Sequence, residues 1–192
     1  MEVIKSKNSL KLKQAKLAII DIGSNSIRML IYEYFSSSRV PFFNEKAVCE
    51  LGKNLDKSKK LHRSGTEYAL KVLKRFSEIL NVSKITNLKI IATAVIREAT
   101  DTKPFIDEVE KLFKTKINIL SGEEEAKCTA EGVKIGFENV DGLVADLGGG
   151  SLELARVENN IVTNKTSLPV GVLRLMNNPI AVSYTYLRAH ET

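Results

Sequence analysis

Leu17-Ala-Ile-Ile-Asp-Ile-Gly-Ser-Asn-Ser-Ile-Arg28 returns 125 residues later as Gly142-Leu-Val-Ala-Asp-Leu-Gly-Gly-Gly-Ser-Leu-Glu153. In this alignment Asp21 lies over Asp146, Gly23 over Gly148 and Ser26 over Ser151. Each copy reads as a short apolar strand ending in a carboxylate, a tight turn of small residues, and a return strand. Small residues leave backbone N–H groups open, and successive open N–H groups make a concavity that accepts an anion. One such turn is a weak signal, because glycine-rich hairpin turns are common. Two in the same strand context point to a phosphate clamp with a carboxylate on each side.

The segments between the copies alternate strand and helix. Ser64-x-x-Glu67 reads as a capping box, and Tyr68, Val72, Leu73, Phe76, Ile79 and Leu80 follow at helical spacing, which predicts an amphipathic helix over 65–81. Leu88 to Thr93 reads as a buried strand, Pro104 to Lys114 as a helix opened by proline, and Ile117 to Leu120 as another strand. Ser121-x-x-Glu124 is a second capping box, opening a helix to about Phe137, and Ile161 to Ser167 adds a strand after the second copy. Helices interleaved with strands give an α/β architecture.

Composition narrows the class. The 192 residues are 43% hydrophobic and 27% charged, which excludes whole-chain disorder, collagen and a disulfide miniprotein. No apolar run approaches the ~20 residues that span a bilayer. Cys49 and Cys128 stand far apart without a CxxC pair, so the expectation is a reduced, cytoplasmic setting with no membrane partner. In that setting the sequons at Asn81 and Asn164 carry no meaning. The net charge of +6 is uneven: residues 1–16 carry +4, residues 53–75 carry +6, and the remainder −4. Such segments can steer a polyanion, although charge runs are commonly solvated faces. Aromatic residues do not interleave with the basic ones, so no specific nucleic acid is expected as a partner.

Missing motifs sharpen the reading. Gly148-Gly149-Gly150-Ser151 is not a Walker loop, neither turn fits GxGxxG, and there is no HExxH or GxSxG. The histidines, His62 and His190, read as surface residues, so histidine-based catalysis is not expected. Hydrolysis of a phosphoanhydride instead needs phosphate positioning, a divalent cation and a carboxylate that orients water. Asp21, Asp146 and Glu153 are candidate Mg²⁺ ligands, since Mg²⁺ takes one or two carboxylates plus waters and substrate oxygens. Glu123, Glu124 and Glu125 open a helix, where carboxylates are favoured by the helix dipole whether or not they do chemistry. Arg97, about one turn into a short helix after the Leu88–Thr93 strand, can fork onto phosphate oxygens or pair with Glu98 or Asp101.

With these residues assembled, the chain resembles the exopolyphosphatase and guanosine pentaphosphate phosphatase family of the actin-like, sugar-kinase-like and chaperone-like ATPase fold. Four motifs carry the resemblance in order: Asp21-Ile-Gly-Ser-Asn-Ser-Ile-Arg28, Ala92-Thr-Ala-Val-Ile-Arg-Glu-Ala99, Ile119-Leu-Ser-Gly-Glu-Glu-Glu-Ala126 and Asp146-Leu-Gly-Gly-Gly-Ser-Leu-Glu153. Ser167-Leu-Pro-Val-Gly-Val-Leu-Arg174 looks like the family segment that enters the next helix. The resemblance implies an actin-like (ribonuclease H-like) lobe with a mixed sheet and flanking helices over 17–120, followed by a truncated second lobe over 121–178. Residues 1–16 are then a basic tail, and 179–192, which match nothing in the family, are expected to be non-native or disordered.

The resemblance also implies roles. Glu125 matches the water-activating glutamate and Arg97 a basic residue at the cleft; Asp146 and Glu153 match metal-associated carboxylates, and Asp21 stays a candidate metal ligand by its place at the strand end. The turns Gly23, Ser24, Asn25, Ser26 and Gly148, Gly149, Gly150, Ser151 match the family's phosphate loops, and Arg28 and Thr93, inside the first two motifs, are further substrate-binding candidates. Leu152 stands where the family usually carries Thr, which removes one hydroxyl contact and leaves the backbone cradle. The implied reaction is Mg²⁺- or Mn²⁺-dependent release of the terminal phosphate of polyphosphate or pppGpp, by a protein that is a homodimer at full length. An actin-fold kinase for a small acid or sugar, an actin-like filament or chaperone ATPase, and a non-catalytic (p)ppGpp sensor use the same turns and stay open.

Overall fold

The computed structural model describes residues 16–33 and 40–176. The segment before Lys16, the 179–192 tail and His190 lie outside them. The first repeat forms β1 (Lys16–Ile22) and β2 (Ser26–Glu33), antiparallel, with Asp21 opposite Arg28 and Ile22 opposite Ile27. β2 pairs antiparallel with β3 (Phe43–Val48), and β1 pairs parallel with β4 (Leu88–Ala92). Adding β5 (Ile117–Ile119), parallel to β4, gives a mixed sheet of order β3-β2-β1-β4-β5.

One face of this sheet is made by alternation, since successive side chains along a strand point to opposite faces. Ala18, Ile20, Ile22, Ile27, Met29 and Ile31 are all at most 1% exposed. Over them pack α2 (Arg63–Val82) and α4 (Lys103–Phe113), which follow the short α1 (Leu55–Ser58) and α3 (Ala94–Glu98). α2 offers Ala69, Val72, Leu73, Phe76 and Leu80 on one stripe, the period that buries a helix face. Its start corrects the capping-box expectation. His62 is the N-cap, without a side-chain cap bond, and Ser64 already lies inside the helix. His62 is half-buried with an unpartnered Nδ1, so it is not a plain surface residue.

α5 (Gly122–Gly136) begins at the capping box as expected: Ser121 Oγ accepts from Glu124 N–H at 3.2 Å, and Glu124 returns a bond to Ser121 N–H at 2.8 Å. It packs on a second sheet, the antiparallel meander of β6 (Gly142–Leu147), β7 (Leu152–Glu158) and β8 (Ile161–Leu168), through Ala130, Ala155 and Val157. α6 (Val172–Met176) closes the described chain.

The second sheet repeats the β1–β3 meander of the first, but not its cover. Leu143, Ala145 and Leu147 stand where Ala18, Ile20 and Ile22 stand in the first copy. Leu143 is 66% and Leu147 50% exposed. Among the described residues, β6 has no partner on the edge where β1 takes β4, and no helix layer lies over this apolar face.

Candidate active site at the two facing turns

Both repeats close with the same backbone bond: Gly23 N–H donates to Ser26 O at 3.0 Å, and Gly148 N–H to Ser151 O at 2.9 Å. The residues after the third strand of each meander then hold the turn from outside. In the first copy, Gly52 N–H donates to Ser24 O at 2.8 Å, and the Cys49 and Glu50 N–H groups both donate to Asn25 O at 2.9 Å. In the second, Val172 and Leu173 N–H donate to Gly148 O and Gly149 O at 3.0 Å each, and Arg174 Nε donates to Gly150 O at 2.7 Å. In a trans peptide C=O and N–H point opposite ways. Anchoring these carbonyls therefore turns the N–H groups of Asn25, Ser26, Gly149, Gly150 and Ser151 toward the other side. Among the described residues, the Gly149, Gly150 and Ser151 N–H groups meet no acceptor. Such a run of open main-chain donors can accept an anion.

The turns face each other closely. A Cβ on Gly149 would lie 2.9 Å from Asn25 Cβ, and one on Gly150 2.4 Å from Ser24 Oγ. This explains the asymmetry of the repeat, in which Ser24-Asn25 of the first copy becomes Gly149-Gly150 of the second. Side chains from one turn fill the room that side chains from both would need. Between them opens a cleft of about 380 Å³ lined by Asp21, Gly23 to Ser26, Lys46, Thr93, Glu125, Asp146 to Ser151, Glu153 and Val172.

Four carboxylates line this cleft beside one lysine. Asp21 sits at the end of β1 with Oδ1 buried and without a hydrogen-bond partner. Burial pushes its pKa up, Arg28 opposes the shift and Asp146 adds to it. Asp146 and Glu153 are direct cross-strand partners, so the strand register brings together what seven residues of sequence separate. Glu153 is 2% exposed and accepts from Ser167 Oγ at 2.8 Å; Asp146 accepts from Thr129 Oγ1 at 3.5 Å. Glu125, on the first turn of α5, has its pKa pushed up to about 7, chiefly by burial and next by the charge of Glu153. Arg97 opposes that shift: its Nη1 donates to Glu125 Oε2 at 3.3 Å and to Leu120 O at 2.6 Å.

Of the sequence candidates, two stand apart from the cleft wall. Arg97 holds Glu125 and Leu120 O rather than lining the cavity. Arg28 is exposed and donates to Asn44 Oδ1 at 2.8 Å. Lys46 is the residue that sequence reading missed. It sits on β3, opposite Arg28, which is itself opposite Asp21, so the three form one row across the sheet. Phe43-Asn-Glu-Lys-Ala-Val48 is too polar to announce a strand, and only the register places its lysine in the cleft. Lys46→Met is expected to weaken tripolyphosphate binding about tenfold, the scale of one charge-assisted contact, with a smaller salt dependence by isothermal titration calorimetry.

Residues 12–182 match the Ppx/GppA phosphatase family. The chain belongs to that family. A guanosine-5'-triphosphate,3'-diphosphate pyrophosphatase of Aeromonas hydrophila is 35% identical over 162 residues, 84% of this chain and 33% of that protein. A bifunctional 3-dehydroquinate synthase/phosphatase of Fusobacterium nucleatum is 34% identical over 82% of this chain and 25% of its own length. An exopolyphosphatase crystal structure from Cytophaga hutchinsonii superposes with a TM-score of 0.78 at 26% identity, over 84% of this chain and 53% of that one. The present Ppx/GppA chain thus spans about a third of the Aeromonas relative's length. Among its described residues, no helix is long and apolar enough to cross a membrane.

Proposed function

We propose that this chain supplies the phosphate-holding and water-activating parts of an acid anhydride hydrolase that removes the terminal phosphate of inorganic polyphosphate or pppGpp. The observation that carries the reading is the pair of main-chain cradles facing each other beside Glu125. The terminal phosphate sits between the turns, with Lys46 beside it. Ionised Glu125 orients a water and takes its proton as the water oxygen attacks the terminal phosphorus. The bridging P–O bond breaks, leaving orthophosphate and a chain one phosphate shorter. The names of the Aeromonas and Cytophaga relatives support the substrate class.

A polyanion does not enter a cleft with four carboxylates unless cations come with it. No group of three described His, Cys, Asp or Glu side chains closes on a common point, so an all-protein metal cage does not fit. A Mg²⁺ or Mn²⁺ ion carried in with substrate oxygens would need only one or two protein carboxylates, drawn from Asp21, whose Oδ1 is orphaned, and the cross-strand pair Asp146 and Glu153. Such an ion would neutralise charge on the phosphate oxygens.

The test is phosphate release from long-chain polyphosphate and from pppGpp, with and without Mg²⁺. Because Glu125 works only when ionised, kcat/KM is expected to rise with pH through a midpoint of about 7. Removing its cationic neighbour in Arg97→Met should move that limb to higher pH. A rate that is flat between pH 5 and 9 counts against Glu125 as the base.

A further inference from the structure

We propose that Arg174 is a positioning residue that latches the second phosphate turn to the first lobe through Glu98. The inference rests on the reading of the turns as a phosphate clamp. Arg174 Nε donates to Gly150 O, while its Nη2 is paired with Glu98 Oε2. The two side chains are 19% and 31% exposed, so the pair is partly shielded from water and salt. Glu98 is the last residue of α3, and its neighbour Arg97 holds Glu125. One five-residue helix therefore presents adjacent residues of opposite charge, one toward the water-activating glutamate and one toward the phosphate turn.

The geometry gives this latch a specific task. The planar guanidinium offers several donors in a fixed fork, so one nitrogen can hold a carbonyl while another holds a carboxylate. Pinning Gly150 O fixes the peptide plane whose other end is the Ser151 N–H, a donor of the cradle. The neighbouring planes are pinned by Val172 and Leu173 N–H, and α6 carries all three groups. The contact with Glu98 ties α6, and with it the second turn, to the lobe that carries the first turn. Lysine cannot reproduce the fork, so Arg174→Lys is not a conservative change here.

Amide hydrogen exchange by NMR on the chain without ligand tests the latch apart from any activity. Val172 and Leu173 N–H are expected to exchange at least about tenfold faster in Arg174→Met and in Glu98→Gln, while α2 amides are unchanged, because local openings exchange independently of the core. The double variant should be no faster than Arg174→Met alone, since both changes break one connection. Tripolyphosphate affinity should fall about tenfold in both single variants and stay reduced in Arg174→Lys. Unchanged exchange at 172 and 173 in Arg174→Met, or fully additive effects in the double variant, would overturn the latch. Absence of tripolyphosphate binding by the wild-type chain in the presence of Mg²⁺ would instead count against the phosphate clamp, with the exchange data still deciding the latch.

Discussion

Glu125→Gln is expected to reduce phosphate release from polyphosphate and pppGpp by about 10³-fold, within the range for removal of a general base, while leaving ligand affinity within about threefold. The amide keeps the size of the side chain and can still accept from Arg97, so the cleft keeps its shape. It cannot take a proton from water. The same variant has a second signature in stability. The folded-state pKa of Glu125 stands at about 7 against an ordinary 4.5, so ionising it costs more in the folded protein than in the unfolded chain. Its contribution to stability is fully present below about pH 4.5 and is lost as pH rises through about 7. Urea denaturation at pH 5 and pH 8 should show that loss in the wild type and a smaller one in Glu125→Gln. Turnover in Glu125→Gln equal to wild type would remove Glu125 from the mechanism, whatever the denaturation curves show.

Gly171→Ala is expected to destabilise the chain by roughly 3 kcal/mol, the upper part of the range for overpacking a well-packed position, and to abolish measurable tripolyphosphate binding. The added Cβ would lie 2.4 Å from both Gly149 O and Gly150 C, which are main-chain atoms with no rotamer to escape into. The turn or α6 must move, and either motion breaks the bonds from Val172 and Leu173 that aim the cradle. A Cβ on Gly132, with nothing within 4 Å, is the control: Gly132→Ala sits in an exposed part of α5 and should stabilise slightly through helix propensity. Thermal denaturation of the pair checks this. Equal melting temperatures would mean that the contact at Gly171 is relaxed without cost.

Much of the candidate site was legible because its turns and carboxylates are written in local sequence. The Asp21 and Asp146 turns announce themselves by a carboxylate at the end of an apolar strand followed by small residues, and the Ser121–Glu124 capping box places Glu125 on the first turn of α5. What was hidden depends on register and on side chains that meet across long separations. Lys46 enters the cleft only because β3 pairs with β2, and the polar composition of β3 conceals it as a strand. Arg174 meets Glu98 across 76 positions. Ser64 looked like a cap because its spacing to Glu67 is right, yet the chain turns earlier, where His62 N–H bonds to Leu51 O. The substitution of Ser24-Asn25 by Gly149-Gly150 in the second copy likewise has a reason visible only when the turns are seen to abut.

The central claim, that both turns together hold one phosphate chain, is tested most directly by titrating the ¹⁵N-labelled chain with tripolyphosphate and Mg²⁺ while following its amide resonances. Saturable shifts with one common affinity are expected at Asn25 and Ser26 and at Gly149, Gly150 and Ser151. Shifts confined to the lysines and arginines of 53–75 with both turns unmoved, or saturation of one turn without the other, would contradict it.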